Sequence, residues 1–253
     1  MSKFVDIPNL PCHAKHIIIG EKYADFLSLP LKSLGISPII VHNSPFVDER
    51  LSGHADMSVL HIKGESIVLA AHLRDTDFAA NLTELGAKIS YQTDLQGSKY
   101  PKDAGLNVCI VGDKLFYFPK SADNEIVSIL TSAYHPISVK QGYTRCSICV
   151  VNDNALITAD RGVADACNTH GIDCLLIEPG YVELQGYEYG FIGGAAFKIS
   201  DDKLAFTGVL DNHPSKAAIL GFLHNHGITP IFLTDLPIFD IGGAIPITDT
   251  KDG

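Results

Sequence analysis

Two segments near the C-terminal end of the chain, residues 153–200 and 201–249, carry the same succession of apolar and amphipathic runs. In the first segment these are NALIT (154–158), a helical stretch ending in THGID (169–173), CLLI (174–177) and FIGGAAFKI (191–199). In the second they are DKLAF (202–206), a helical stretch ending in NHGIT (225–229), PIFL (230–233) and DIGGAIPIT (240–248). Short apolar runs bounded by turn residues are typical of strands, and Gly-Ile after an amphipathic run is typical of a helix C-cap followed by a buried strand. Each segment therefore predicts strand, helix, glycine turn, strand, loop and strand.

The same succession can be traced upstream in three further units, residues 15–64, 65–112 and 113–152. The third of these is shorter and lacks the glycine turn. The period of roughly 40–48 residues lies in the range of closed or stacked repeat architectures. We therefore predict a single domain over residues 1–253, built from five strand-helix-strand-strand repeats.

Five such units could stack as a solenoid, close into a ring, or form one doubly wound sheet. A solenoid needs polar caps at its ends, whereas the first and fifth units are as apolar as those between them. In a doubly wound sheet strands and helices alternate, whereas each unit here has more strands than helices, and no Gly-x-Gly-x-x-Gly motif follows a predicted strand. The pattern favours a ring of five blades around a pseudo-fivefold axis, with the helices outside. The predicted fold class is an α/β propeller.

Composition and charge exclude several classes of protein. With 46% hydrophobic and 19% charged residues, the chain can bury a large core. A formal charge of −10 and the lack of a Lys/Arg run argue against a nucleic-acid partner. The longest uncharged run, residues 217–234, is interrupted by HNHG at 224–227 and by Pro230, which argues against a membrane partner or span. Six cysteines without regular spacing indicate free thiols, and no signal-peptide core is found at the N-terminus, so a cytoplasmic location is expected.

Three motifs carry a resemblance to a known fold. The run VKQGYTRCSICVV at 139–151, with YGFIGGA at 189–195 and DIGG at 240–243, resembles an uncharacterised bacterial family that is assigned to the pentein fold. Five blades in a chain of this length also resemble that fold, which guanidino-group-modifying enzymes share with a ribosome anti-association factor. The resemblance covers essentially the whole chain after Lys15. It implies the five-bladed pentein architecture, and fold alone does not determine function.

In a ring of blades, the innermost strand of each unit points one end at the axis, so the residues at these five ends converge. The converging positions are His54 and Asp56; Tyr100, Lys102 and Asp103; Tyr143, Arg145 and Cys146; Tyr189, Phe191 and Gly193; and Asp240 and Gly242. They predict a pocket that is rich in carboxylates and partly aromatic, with one thiol and one imidazole.

The chemistry that fits this pocket and the resemblance is nucleophilic attack on a guanidinium or amidine carbon. Cys146, His54 and Asp56 are the candidate catalytic residues: a thiolate attacks the carbon, and an imidazole delivers a proton to the leaving amine. Carboxylates such as Asp56, Asp103 or Asp240 could bind the planar cation with two hydrogen bonds. Arg145 beside Cys146, with Lys102 in reach, predicts a lowered pKa for the thiol. The candidate substrate-binding residues are Tyr100, Lys102, Asp103, Lys140, Tyr143, Arg145, Tyr189 and Asp240.

The chain departs from the family pattern at the expected position of the nucleophile. In the guanidino-modifying enzymes the catalytic Cys follows a Gly-Gly in the last blade, and a His lies in the blade before it. Here Ile245 and Pro246 stand where a His-Cys pair would be, and the fourth blade has no His at its Gly-Gly. Cys146 and His54 lie two blades apart rather than one. Any activity therefore requires a rearranged site.

Two classes of function remain open. One is a cysteine-dependent hydrolase or transferase acting on a guanidine-, amidine- or amide-bearing small molecule. The other is a non-catalytic pentein that binds a small zwitterionic metabolite or a macromolecular partner. The geometry at the end of the ring where these residues converge discriminates between the two classes. An enzyme needs Cys146 Sγ within a few ångströms of His54 or another base, around an open cavity.

The predicted pocket also constrains the ligand. Its carboxylates favour a cationic or zwitterionic small molecule over a phosphorylated one, and no Gly-rich phosphate cradle opens a helix. Lys102, Arg145 and Lys140 could hold a carboxylate, which favours a zwitterion. No cofactor is expected. No metal is expected either, because His54 and Asp56 share one face of a predicted strand but lack a third ligand nearby in the sequence.

Overall fold

The strands of the protein form five small sheets in the computed structural model, which describes residues 3–93, 97 and 99–250. In chain order the strands are Lys3–Phe4 (β1), Ala14–Gly20 (β2), Ser37–Val41 (β3), Val59–Lys63 (β4), Ser66–Leu69 (β5), Lys88–Tyr91 (β6), Cys109–Val111 (β7), Lys114–Tyr117 (β8), His135–Ser138 (β9), Ile148–Asn152 (β10), Ala155–Thr158 (β11), Asp173–Leu176 (β12), Ala196–Lys198 (β13), Lys203–Phe206 (β14), Thr229–Phe232 (β15) and Ile245–Asp249 (β16). The helices are Ala24–Ser33 (α1), Asp77–Glu84 (α2), Asn124–Thr131 (α3), Thr144–Ser147 (α4), Arg161–His170 (α5) and Lys216–Asn225 (α6).

Four of the sheets repeat one topology. An inner strand forms an antiparallel hairpin with a middle strand, and a helix then leads to a parallel outer strand, as in β10-β11-α5-β12. The helix of this unit begins where Asp160 accepts a hydrogen bond from the Val163 N–H at 2.9 Å, and it ends at Gly171, whose φ of 67° is left-handed. The sheets β4-β5-β6, β7-β8-β9 and β13-β14-β15 have the same arrangement.

The fifth sheet joins the two ends of the chain. Its order is β1-β16-β2-β3, so that the last strand of the chain lies between β1 and β2. Strand β16 takes the inner position, antiparallel to β2, which is itself parallel to β3. Each sheet thus combines the last strand of one sequence repeat with the first two strands of the next. The inner strands of the five sheets are β4, β7, β10, β13 and β16.

Five apolar clusters lie between neighbouring sheets. Ile67 packs in one cluster with Ile18, and Val68 in the next with Ile110. The series continues with clusters that combine Phe116 with Val163, Ile157 with Phe206, and Phe197 with Ile17. The last cluster returns to the sheet that supplied the first, so the sheets close into a ring. The fold is therefore the five-bladed α/β propeller that the repeats predict, as the resemblance to the pentein fold implies. In the part of the chain that is described, no helix has the length and apolar character needed to cross a membrane.

Candidate active site

Short turns precede the inner strands and meet at one end of the ring. They are the 3₁₀ helices Ala55–Met57, Lys102–Ala104 and Ile192–Gly194, the helix α4 and the loop 240–244. The pattern places His54 and Asp56 on one strand face, but Asp56 lies in a 3₁₀ helix with His54 immediately before it. That expectation was wrong, because the chain leaves extended geometry just before the inner strand β4 begins. Contacts between these turns form the site.

Cys146 lies in α4, and the residue is only 3% exposed. Its Sγ donates a hydrogen bond to Asp56 Oδ2 at 2.8 Å, and Asn107 Nδ2 donates to Sγ at 3.5 Å. Asn107 Oδ1 in turn accepts from the backbone N–H groups of Arg145 at 2.8 Å and of Cys146 at 3.4 Å. The amide of Asn107 therefore fixes both the short helix and the thiol.

His54 and Asp240 complete a compact group of reactive side chains with Cys146. One ligating atom from each of the three residues lies within 4.8 Å of the other two, and all three residues are buried. Asp240 is held by backbone donors, since Oδ1 accepts from the Gly242 N–H and Oδ2 from the Phe191 N–H, both at 2.8 Å. Gly242 has a φ of 71°, and a Cβ there would lie 2.3 Å from Cβ of His54. Only glycine lets the loop approach the imidazole so closely.

The electrostatic surroundings of the thiol are negative. Burial and the carboxylates of Asp56 and Asp240 hold the pKa of Cys146 well above its usual value. The prediction of a lowered pKa was therefore wrong, and the reason is the direction of the cations. The Arg145 guanidinium donates to Gly193 O at 3.1 Å and Ala244 O at 3.3 Å, while Lys102 is exposed.

Two other groups near the thiol are shifted by burial. Burial raises the pKa of Asp56 to about 7, against the opposing effects of the hydrogen bond from Cys146 and the charge of Arg145. Burial lowers the pKa of His54, so its imidazole is neutral near pH 7. The resting site thus holds a protonated thiol and a neutral imidazole. Because the pKa of His54 is lowered, its imidazole can accept the proton of the Cys146 thiol only when a further change in charge at the site favours that transfer.

A cavity of about 260 Å³ opens onto this group. Its lining residues are Leu51, His54, Tyr143, Cys146, Leu184, Tyr187, Glu188, Tyr189, Phe191 and Asp240. A second cavity of about 590 Å³ adjoins it and shares Leu184, Tyr187, Glu188 and Asp240. Lys22, Tyr23 and Phe26 also line the second cavity, and the ring centre of Tyr23 lies 6.1 Å from that of His54. The thiol therefore faces a recess that continues into a wider, partly apolar groove.

The predicted binding residues divide into two groups. Tyr143 and Tyr189 line the smaller cavity, as do Cys146, His54 and Asp240. The Tyr143 hydroxyl donates to Asp103 Oδ2 at 2.8 Å, and its ring lies 5.3 Å from that of Tyr100, so these two residues support the cavity wall. Burial raises the pKa of the Asp103 carboxyl.

The three predicted cations are not among the residues that line the smaller cavity. Lys102 and Lys140 are exposed, and Arg145 is buried along the axis with its guanidinium on backbone carbonyls. Arg145 and Asp56 instead line a small axial cavity of about 20 Å³. The buried Arg145 therefore has a structural role, and the two lysines lie outside the smaller cavity.

Sequence reasoning did not single out Asn107, Tyr187 or Glu188. Asn107 carries the clearest signal, because it is a polar residue directly before the apolar run of β7, where the other units also have site residues. Tyr187 and Glu188 lie in a loop that no periodicity describes. Arg50 holds that loop: its Nη1 donates to Gly186 O at 2.8 Å, and its guanidinium lies 4.2 Å from the ring centre of Tyr187.

The family model described as "Family of unknown function (DUF6873)" matches residues 18–245. The chain belongs to this family. In the search of curated proteins, none matches the chain. The DUF6873 match covers four of the five inner strands in full and includes every residue that lines the smaller cavity.

Solved structures with a similar fold include two amidinotransferases and DDAH. The inosamine-phosphate amidinotransferase StrB1 from Streptomyces griseus is 13% identical, with a TM-score of 0.60 over 98% of this chain and 97% of that one. SxtG, an amidinotransferase from Microseira wollei, is 10% identical, with a TM-score of 0.54 over 90% and 91%. DDAH from Pseudomonas aeruginosa is 11% identical, with a TM-score of 0.53 over 92% and 96%. At these identities the similarity establishes the pentein fold.

In the last blade of this DUF6873 protein, the Gly242-Gly243 turn leads into the inner strand β16. Pro246 lies buried in β16 opposite Ile17, in the inner strand that follows the Gly242-Gly243 turn. The thiol and the imidazole of this chain enter the axial site from other blades, through α4 and the turn before β4.

Proposed function

We propose that this protein is a cysteine-dependent enzyme that breaks a C–N bond of a cationic guanidine or amidine and transfers the carbon group to water or to an acceptor amine. The observation that carries the proposal is the grouping of Cys146 Sγ, a His54 ring nitrogen and an Asp240 oxygen within 4.8 Å at the floor of a cavity. A nucleophile, a base and a carboxylate in reach of one another are the parts that nucleophilic catalysis requires. Fold similarity to guanidino-modifying enzymes supports the reaction class by analogy.

Because the surroundings of the thiol are negative, the charge of the bound substrate affects how easily the thiol ionises. In the resting site Asp56 and Asp240 disfavour a thiolate. A planar cation bound beside Asp240 in the smaller cavity offsets this negative charge and places its electrophilic carbon next to Sγ. The thiol then becomes easier to ionise only when substrate is present, which limits its reaction with other electrophiles.

The bond changes follow from the contacts of Cys146. The thiol proton passes to Asp56 or His54 as the S–C bond forms. The C–N bond then breaks, and the leaving amine takes a proton from the same group. Water, or an acceptor amine in a transferase, then attacks the carbon, the S–C bond breaks, and a proton lost by the attacking water or amine passes to the sulfur.

The charges around the cavity define the ligand class. Asp240 lines both cavities and Glu188 stands at their shared wall, so the head of the ligand is cationic. Lys22, which lines the wider cavity, is the lining cation that can pair with a carboxylate of the ligand. A zwitterionic amino-acid derivative fits this pattern, and the aromatic rings of Tyr23 and Phe26 can pack against an apolar linker between its ends.

Affinity labelling tests this function. 2-Chloroacetamidine and 2-chloroacetamide have similar size and the same reactive carbon, but only the amidine is cationic near pH 7. We expect the amidine to alkylate Cys146 at least about tenfold faster than the amide, equivalent to about 1.4 kcal/mol of preferential binding. Cys146→Ser should abolish the fast phase, and Cys12→Ser, which removes an exposed thiol, should leave it unchanged. Equal rates for the two reagents at Cys146 would contradict the proposal.

A second candidate function is a binding protein without turnover, and the raised pKa of the Cys146 thiol is the observation that favours it. The two functions differ in what happens to a bound guanidine or amidine. A panel of such compounds, assayed for released amine or ammonia, separates them. Turnover that is lost in Cys146→Ser identifies the enzyme. A thermal shift of equal size in both proteins, without product, identifies the binding protein.

A further inference from the structure

We propose that His54, Cys146 and Asp240 form a binding site for a divalent transition-metal ion of the zinc class. The three residues come from three different turns of the ring, and their ligating atoms lie within 4.8 Å of one another. Each of the three residues is buried, at 2–3% exposure. Imidazole nitrogen, thiolate sulfur and carboxylate oxygen together form a ligand set that zinc binds in proteins.

The geometry of the group is close to that of a loaded site. Zinc bonds of about 2.0–2.3 Å in a tetrahedron place ligand atoms roughly 3.3–3.8 Å apart, so the side chains need to close by only about 1 Å. Two of the groups are already positioned by the backbone. Asp240 is fixed by the N–H groups of Phe191 and Gly242, and Gly242 packs against His54. A carboxylate oxygen that accepts one backbone hydrogen bond retains a lone pair for a metal.

An unsatisfied polar atom points to the same ligand. Nε2 of His54 is buried and has no hydrogen-bond partner among the described residues, and Oδ1 of Asp56, next to the thiol, has none either. Buried polar atoms without partners are uncommon in folded proteins, and a missing ion is one of their explanations. A metal held by Cys146 and Asp240 offers a bond to the imidazole of His54.

The charge balance favours a dication. Asp56 Oδ2 accepts the hydrogen bond from the Cys146 thiol, so a second carboxyl group lies against the three candidate ligands, and Arg145 is a buried cation next to Cys146 in the chain. Buried acidic groups are paired or coordinate metals in folded proteins. On binding, the S–H bond breaks, Sγ bonds to the metal, and the proton leaves to solvent.

The site would hold three protein ligands and keep one position open to the smaller cavity, because all three residues line that cavity. A sulfur that is bonded to the metal is not available to attack carbon. Metal and amidine therefore compete for one group of side chains, and metal binding would keep the protein from reacting. The proposal does not rest on the enzymatic function, since a binding protein with this group would take the metal equally.

Cobalt titration tests the site directly. Tag-free protein is treated with a chelator, exchanged into metal-free buffer and titrated with Co²⁺, whose bond to a thiolate gives a near-ultraviolet charge-transfer absorption. We expect one equivalent to bind with this absorption and to be displaced by Zn²⁺. Cys146→Ser should abolish the absorption, and His54→Gln should weaken binding by at least about 100-fold, since loss of even an outer-shell partner typically weakens it 10- to 100-fold.

Cys174→Ser is the matched control, because Cys174 is a half-buried thiol that lies outside the cavity. Its Co²⁺ absorption should equal that of the wild-type protein. No stoichiometric absorption in the wild-type protein, or absorption that persists in Cys146→Ser, would overturn the proposal. Amidine labelling of the chelator-treated protein is the separate readout of the enzymatic function. Amidine labelling without Co²⁺ binding would contradict only the proposed metal site. Co²⁺ binding without amidine labelling would contradict only the proposed enzymatic function.

Discussion

Cys146 Sγ donates a 2.8 Å hydrogen bond to Asp56 Oδ2, and both residues are at least 97% buried. Two acidic groups this close cannot both ionise cheaply in a region of low polarity, so they titrate as a pair. The pair explains why the thiol remains protonated although Arg145 is its sequence neighbour. It also links the reactivity of Cys146 to the charge of whatever enters the cavity.

Replacing Asp56 with Asn should lower the pKa of the Cys146 thiol, because it removes a carboxylate that raises it. The alkylation rate of Cys146 by iodoacetamide, followed by peptide mapping across pH, measures this. We expect the midpoint for Asp56→Asn to move to lower pH by about one unit or more. Asp165→Asn removes an exposed acid on α5 and should leave the profile unchanged. A profile for Asp56→Asn that coincides with wild type would contradict this prediction.

The same substitution should change how stability depends on pH. Burial raises the pKa of Asp56 in the folded protein to about 7, above the unfolded value of 3.8, so the folded state binds the proton more tightly. Stability from this group is present below pH 4 and is lost as pH rises through 7. Asp56→Asn removes that loss. The unfolding free energy of the variant relative to that of the wild type should therefore be higher at pH 7.5 than at pH 4.5, by at most about 4 kcal/mol.

Urea unfolding of both proteins at the two pH values measures this gain. The comparison is made between variants because the lowered pKa of His54 acts in the opposite sense, weakening the fold as pH falls below 6.5. That contribution is common to both proteins and cancels in the difference. A difference in unfolding free energy that is the same at both pH values would show that Asp56 does not carry a raised pKa.

Asn107→Ala should destabilise the protein by about 1–3 kcal/mol, since it leaves the N–H groups of Arg145 and Cys146 without their acceptor in a buried place. Urea unfolding gives the free energy, and the amidine labelling rate reports the position of the thiol. Asn124→Ala, at the exposed start of α3, is the control and should change neither value appreciably. Wild-type stability in Asn107→Ala would mean that the amide does not hold α4.

Arg50→Ala should loosen the loop that carries Tyr187. It removes the hydrogen bond to Gly186 O and the stacking on the Tyr187 ring, which is worth about 0.5–1 kcal/mol at exposed sites. We expect faster hydrogen exchange in residues 183–190 and a weaker preference for amidine over amide in labelling. Arg74→Ala is matched to it, because Arg74 stacks on Tyr91 at the same 4.2 Å distance without lining either cavity. Equal effects from both variants would exclude a specific role for Arg50.

Much of the architecture follows from the sequence because its causes are local and repeated. The runs at 154–199 show strand, helix and strand by their own periodicity, and a second copy at 202–248 shows that the unit recurs. Recurrence without polar end caps predicts a ring, and the five-bladed propeller is confirmed. The ring in turn brings the ends of the inner strands together. Cys146, His54 and Asp240 could therefore be predicted as site residues although they lie far apart in the sequence.

The chemical state of the site was decided only by the tertiary structure. Adjacency in sequence suggested that Arg145 and Lys102 activate Cys146, but the guanidinium of Arg145 reaches Gly193 and Ala244, and Lys102 faces solvent. The periodicity of a sequence predicts which residues are buried. It does not predict which groups the end of a buried side chain contacts. The pKa of the thiol depends on distances of a few ångströms to Asp56 and Asp240, which arrive from other blades. Those distances exist only once the ring has closed.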